Sequence, residues 1–255
     1  MKFDLTPLEH ELGLWRAENM SLPIWWRDDD AINTTPELER LSALAEVIFV
    51  PVHLAVIPKY VKRDLVTAVK EHDQLKALVH GWAHHNNAPP DAKKAEFAHP
   101  RPELLKEAQA GLTKLRAAFD DTLLEVFVPP WNRIAPDLVI QLAPIGYRAL
   151  STFTPRTSPF AAPELIQINT HIDPINWRNG GGLVDVDQQV AHIVKLLEDR
   201  RSGVTDNDEP LGILTHHLVH DDAIWTFTET LLKTFLEGGA QSICLGALLG
   251  KTAQP

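Results

Sequence analysis

The sequence predicts an α/β protein built on a mostly parallel sheet, open or closed into a barrel. Three observations carry that expectation. Short apolar runs alternate with longer amphipathic ones along 255 residues, the strand–helix order that parallel strands require of their crossovers. Polar clusters fall just after the expected strands, at Asp28, His80, Pro130, Asp173 and His216, and the carboxyl edge of such a sheet is where sites are built. Apolar residues make up 44% of the chain, which fills the core of one large domain. No repeat, low-complexity tract or linker divides residues 1–255.

The elements follow in order. Pro23–Arg27 reads as the first strand. Pro36–Val47 reads as a helix, with Thr35 as its cap, Pro36 in its first turn and Leu38, Leu41 and Leu44 on one stripe. Val52–Ile57 is the second strand, Tyr60–Glu71 the second helix, and Leu75–Val79 a third strand leading into histidines. Residues 86–101, rich in Asn, Pro and Ala, read as a long loop. Pro102–Phe119 is a helix, Leu124–Val128 a strand, Pro136–Ala143 a short helix, and Tyr147–Thr152 and Leu165–Asn169 the fifth and sixth strands. Val186–Arg201 and Ala223–Leu236 are helices on either side of a seventh strand, Leu211–Leu214, and Ser242–Leu245 is a last short strand. Pro155–Pro163 and Gly203–Pro210 read as surface loops.

The formal charge is −10, from 34 acidic and 24 basic residues. Such a surface repels phosphate backbones, which argues against a nucleic-acid partner. Cys244 is the only cysteine, so no intrachain disulfide forms. The first residues lack the long apolar stretch of a signal peptide, and no run of about 18 apolar residues spans a membrane. A cytoplasmic location is the expectation.

The chemistry concentrates in two segments, Ile24-Trp25-Trp26-Arg27-Asp28-Asp29-Asp30 and His80-Gly81-Trp82-Ala83-His84-His85. Adjacent carboxylates at a buried strand end repel one another, and a divalent cation removes that cost while imidazoles complete its shell. Histidines four apart lie on one face of a helix and can chelate one ion. The glutamate that a zincin places after its first histidine is replaced here by Gly81. Trp25 and Trp26 mark a buried strand that delivers the acids to a pocket, where one carboxylate binds metal and a neighbour takes a proton from water.

In order, the acidic strand end, His80-x-x-x-His84, Val128-Pro129-Pro130-Trp131, Asp173-Pro174-Ile175-Asn176-Trp177 and Ile213-Leu214-Thr215-His216 resemble the five motifs of the NodB-homology polysaccharide deacetylases, carbohydrate esterase family 4. The resemblance runs from about Leu22 to His220. It implies a distorted (β/α) barrel of about seven parallel strands, related to the TIM barrel, and removal of N-acetyl groups from a carbohydrate. It also implies one divalent ion held by an aspartate and two histidines, most simply zinc, with cobalt, nickel or iron also suited.

Carried over residue by residue, the resemblance makes His80 and His84 metal ligands. Two registers fit the aspartates. Aligning Arg27 with an arginine before the pair favours Asp29 as base and Asp30 as ligand; the other register uses Asp28 and Asp29. Pro130 and Trp131 match a groove-forming motif, Trp177 a groove wall, and Leu214 the contact for the acetyl methyl. His216 matches the catalytic acid, held by a carboxylate such as Asp173, with His217 as an alternative. Two departures stand out: Val128 occupies the usual place of an arginine that steadies the base, for which Arg133 or Arg27 are candidates, and Asn176 replaces a second aspartate. Another metal-dependent C–N or ester hydrolase on a similar barrel, or a non-catalytic carbohydrate-binding relative, are the competing readings.

Overall fold

The computed structural model describes residues 3–251. The elements run α1 (Thr6–Ala17), β1 (Pro23–Ala31), α2 (Pro36–Ile48), β2 (Val52–Val56), α3 (Arg63–Glu71), β3 (Leu75–His80), α4 (Leu104–Phe119), β4 (Leu123–Val128), α5 (Pro136–Leu142), β5 (Ala149–Leu150), β6 (Phe160–Ala162), β7 (Leu165–Gln167), α6 (Val186–Arg201), β8 (Leu211–Thr215), α7 (Asp222–Glu237), β9 (Gln241–Ser242) and α8 (Leu245–Lys251). Neighbours along the sheet follow the order β6-β7-β5-β4-β3-β2-β1-β8. Every pairing from β7 to β8 is parallel, and β6 joins the β7 edge antiparallel.

The path curls round on itself just beyond β7. His171 and Ile172 donate to the Gly212 carbonyl at 2.8 and 3.2 Å, and Leu214 donates back to Ile172 at 2.8 Å, so an irregular segment bridges β7 to β8. This is the expected distorted barrel. No described helix is long and apolar enough to cross a membrane.

Side-chain alternation along β1 sorts the core into two layers. Ile24 and Trp26 face outward into the cluster that the helices bury, with Leu38 and Leu41 of α2 and Phe227 and Leu231 of α7. Trp25 faces inward with Ala55, Leu78, Val126, Val128 and Ala149, and Leu245 and Leu249 of α8 join the same cluster. The barrel floor is therefore apolar and closed by α8. One inward position further along β1 stands Arg27, fully buried; the next is Asp29. Floor, cation and carboxylate are stacked along one face of one strand.

His53 of β2 ties the plug to the wall. Its Nδ1–H donates to the Trp26 carbonyl at 2.9 Å, and its Nε2 accepts from the Leu245 N–H at 3.0 Å. Burial pushes the imidazole down to about 4, so it stays neutral in the folded protein while an unfolded chain takes up a proton near 6.5. The stability it contributes is complete above pH 6.5 and is lost as pH falls towards about 4. Between pH 7 and 5 this amounts to about 2 kcal/mol. In urea unfolding, His53→Gln is expected to be less stable at pH 7 and to show a shallower fall between pH 7 and 5; parallel curves would refute the assignment.

Several expected boundaries move. The second helix does not begin at Tyr60: Pro58–Tyr60 forms a separate 3₁₀ turn and α3 starts at Arg63. The fifth strand shrinks to Ala149–Leu150 and the sixth to Leu165–Gln167, because the chain there is already leaving the ladder to close the barrel. Part of the expected Pro155–Pro163 loop is the edge strand β6, too short to display alternation. The last strand lies at Gln241–Ser242, and Leu245 opens a helix rather than ending a strand. The helix expected from Ala223 starts at Asp222, and Asp221 caps it by accepting from Ile224 N–H at 2.8 Å.

Candidate active site

In a regular strand Asp28 and Asp30 would share the outward face and only Asp29 would point into the barrel. Asp28 follows that rule. It is fully buried, accepts from Thr215 Oγ1 at 2.6 Å and from His217 N–H at 3.0 Å, and pairs with His217 Nδ1. Burial alone would raise its carboxyl, but the His217 charge and hydrogen bonds hold it below the ordinary value. The same pairing raises His217 against its own burial.

Asp30 breaks the rule. The ladder to β2 shifts register between Asp28 and Ala31, and Asp30 has φ +77°, a left-handed backbone that costs a non-glycine residue about 1–2 kcal/mol. The bulge turns Asp30 to the side of Asp29, so consecutive carboxylates reach one cavity.

Asp30 Oδ1 lies 3.2 Å from Nε2 of His80 and 3.2 Å from Nε2 of His84, and one donor atom from each of the three residues falls within 4.8 Å of the others. His80 ends β3, and its Nδ1–H donates to the Val128 carbonyl at 3.0 Å, which leaves the Nε2 lone pair facing Asp30. Donors spaced by about 3.3 Å are what a tetrahedral ion with bonds of about 2.0–2.1 Å requires. The donor set thus fits a divalent cation, with a second-shell carbonyl already fixing one imidazole. Burial opposes the charge on Asp30, but His80 and His84 hold its carboxyl far below the ordinary range. Burial, then the neighbouring His80, lowers His84.

The two histidines do not share a helix. His80 closes a strand and His84 sits in an irregular loop at φ +51°. Glu96, from the segment expected as featureless loop, shapes it. Its buried carboxylate accepts from the N–H groups of Trp82 at 3.2 Å, Ala83 at 2.8 Å and His84 at 3.2 Å. Gly81 has φ +53°, and a Cβ there would come within 2.4 Å of Glu96 Oε2 and 2.6 Å of Pro130 Cδ. That is the local reason glycine stands where a zincin has glutamate. Nothing in the spacing of Glu96 from His84 advertised this role. Glu96→Gln, which turns an amide towards those N–H groups, is expected to weaken zinc binding about 10- to 100-fold by calorimetry; unchanged affinity would show that the loop holds His84 without it.

Asp29 is engaged by Arg27. Arg27 Nη2 donates to Asp29 Oδ2 at 3.0 Å, and its Nε lies 2.9 Å from Oδ1 in a charge contact whose N–H is not aimed at the oxygen. The rest of the guanidinium donates to Ser151 Oγ at 2.8 Å and Asn132 Oδ1 at 2.7 Å, with longer bonds to the carbonyls of Ser151 and Thr152. Arg133 instead donates to the Lys94 carbonyl at 2.6 Å. Of the two candidates for the cation beside Asp29, Arg27 occupies that place.

His216 follows β8. Its Nε2 lies 4.0 Å from Asp29 Oδ2, and its ring meets Trp177 edge-to-face with centroids 4.7 Å apart. Asp173 makes no hydrogen bond to His216: its oxygens accept from Ile175 N–H at 2.9 Å and Trp177 Nε1–H at 2.8 Å. Burial raises the Asp173 carboxyl. Asp173 thus reaches His216 through the indole it holds. His217 is turned away, behind Asp28.

These residues share a cavity of about 670 Å³. Asp29, Asp30, His80, His84, Asp173, Leu214 and His216 line it together with Trp131, Asn132, Arg133, Trp177 and Arg178. Trp131 packs against His84 with ring centroids 4.3 Å apart and planes tilted by 47°. Pro130 is buried against Gly81 and does not line the cavity. Asp28 and His217 do not line the cavity.

No protein-family model matches the chain, and no curated protein matches it in sequence. Solved structures do share its fold. A protein from Mycobacterium smegmatis assigned as a polysaccharide deacetylase aligns with TM-score 0.64 and 12% identity over 91% of this chain and 90% of that one. A family 4 carbohydrate esterase from Streptomyces lividans, in complex with acetate, aligns with TM-score 0.56 and 13% identity over 87% and 91%. A family 4 acetyl xylan esterase from Clostridium thermocellum, in complex with a cobalt ion, aligns with TM-score 0.53 and 12% identity over 91% and 93%. The chain has the NodB-like fold of these polysaccharide deacetylases and esterases.

Proposed function

We propose that this chain is a metal-dependent hydrolase that removes N-acetyl groups from a carbohydrate. The single observation that carries the reading is the convergence of Asp30, His80 and His84 within 4.8 Å in the cavity where Asp29 and His216 stand 4.0 Å apart. The three ligands suit zinc, and also cobalt, nickel or iron.

A divalent cation bound there supplies Lewis acidity, polarising the amide carbonyl and lowering the pKa of water from about 16 towards about 7. The chain's own groups do the rest. Asp29 takes a proton from the attacking water, and Arg27 holds its carboxylate in place. His216 gives a proton to the departing nitrogen, without which an amine is a poor leaving group. Asp173 positions Trp177, which in turn packs His216 against the cavity. Trp131 and Trp177 form walls suited to sugar faces, and Leu214 offers apolar contact to the acetyl methyl.

The test is acetate release from a panel of N-acetylated sugars by chelated protein to which zinc, cobalt, nickel or iron is restored in turn. Release is expected with metal and none without it. Metal binding without release from any sugar would overturn the hydrolase reading in favour of a binding protein.

A further inference from the structure

The cavity carries two cations that hydrolysis of a neutral N-acetyl sugar does not use. Arg133 and Arg178 both line it. Neither has a carboxylate within 4.0 Å among the described residues; the bond from Arg133 goes to the Lys94 carbonyl. The acids of the same cavity are each engaged elsewhere: Asp29 by Arg27, Asp30 by two imidazoles, Asp173 by Ile175 and Trp177. In a chain carrying 34 acidic and 24 basic residues, two guanidinium groups with no carboxylate partner thus stand at one cavity.

Their placement is paired. Arg133 follows the turn Pro130–Asn132 that carries Trp131, and Arg178 directly follows Trp177 on the turn Trp177–Asn179. Each wall that would stack on a sugar face therefore bears a cation at its edge. Beyond Arg178, Gly180 and Gly181 would meet nothing within 4 Å even with a Cβ, so that rim is open. Guanidinium is the side chain whose planar fork matches carboxylate and phosphate oxygens. Sugar hydroxyls and an acetamide need only aromatic faces and neutral donors or acceptors, which Trp131, Trp177 and Asn132 provide.

We propose that the carbohydrate is acidic, bearing a carboxylate or a phosphate that Arg133 and Arg178 receive while the acetamide lies at the metal ligands. This deepens the deacetylase reading and rests on it. The metal-restored protein is assayed on a neutral N-acetylglucosamine disaccharide, on N-acetylmuramic acid and on N-acetylglucosamine 1-phosphate, the last two separating carboxylate from phosphate. An acidic sugar is expected to be preferred in kcat/KM by about tenfold or more. Arg133→Gln and Arg178→Gln are each expected to cut that preference about tenfold, with far-ultraviolet circular dichroism verifying the fold. Equal kcat/KM for neutral and acidic sugars, with a ratio that neither variant moves, overturns the acidic substrate and leaves deacetylation standing. If no sugar releases acetate, the deacetylase reading falls, and calorimetry with glucuronate and glucose 1-phosphate decides the anion site. Binding that the double variant loses supports it, and binding that is absent or unchanged in the double variant overturns it.

Discussion

Arg27→Met is expected to lower kcat by about three orders of magnitude and to be the most destabilising single change in the barrel interior. The guanidinium is fully buried, and its removal strands Asp29 as an unpaired carboxylate while Ser151 Oγ and Asn132 Oδ1 lose their donor. Breaking a buried ion pair from one side costs about 3–5 kcal/mol. The Asp29 carboxylate also loses the contact that holds it in place beside His216. Stability and activity should therefore fall together. Combining Arg27→Met with Asp29→Asn separates them: the double variant should regain most of the unfolding free energy in urea and none of the kcat. Arg27→Lys keeps the charge but not the fork, and should fall between. A stable Arg27→Met protein with parental kcat would remove Arg27 from the mechanism.

His216→Ala should lower kcat by about 10²–10⁴ while zinc affinity stays within about twofold. The donor atoms of the candidate metal set belong to Asp30, His80 and His84. His216 stands beside Asp29 instead, with its ring against Trp177. An acid that protonates the leaving nitrogen matters less as that nitrogen becomes a better leaving group. The deficit should therefore shrink on an activated acetyl ester such as 4-nitrophenyl acetate. Loss of zinc from His216→Ala, or an equal deficit on ester and amide, would assign His216 a different role.

The residues that sequence could expose were those whose chemistry is legible from spacing. His80 and His84 stood out, and their joint approach to Asp30 is what the structure contains. The helix start at Thr35 was readable because capping is a local interaction. The preference for Asp29 and Asp30 over Asp28 came only from aligning Arg27 within the resemblance; periodicity could not supply it, because the placement turns on a bulge that reverses the alternation at one residue. The helical spacing by which His80 and His84 could share one face does not apply, for a related reason. Two positive-φ residues, Gly81 and His84, and a carboxylate at position 96 set that loop, and a pattern of four residues contains none of that information. The bond expected between Asp173 and His216 is replaced by one to Trp177, a competition between nearby donors that only coordinates resolve. β6 was invisible because three residues on a sheet edge carry too little pattern.

The kink at Asp30 has a mechanical corollary. Because the proposed proton acceptor and the proposed cation ligand are covalent neighbours, their spacing is governed by one peptide unit, with Cα atoms about 3.8 Å apart, and not by how well the outer helices pack. Thermal breathing of the wall, or a loosened contact on α2 or α7, alters the gap to His80 and His84 on other segments before it alters the gap between Asp29 and Asp30. Such damage is expected to surface first as weaker cation affinity, with the turnover of whatever molecules remain loaded little changed.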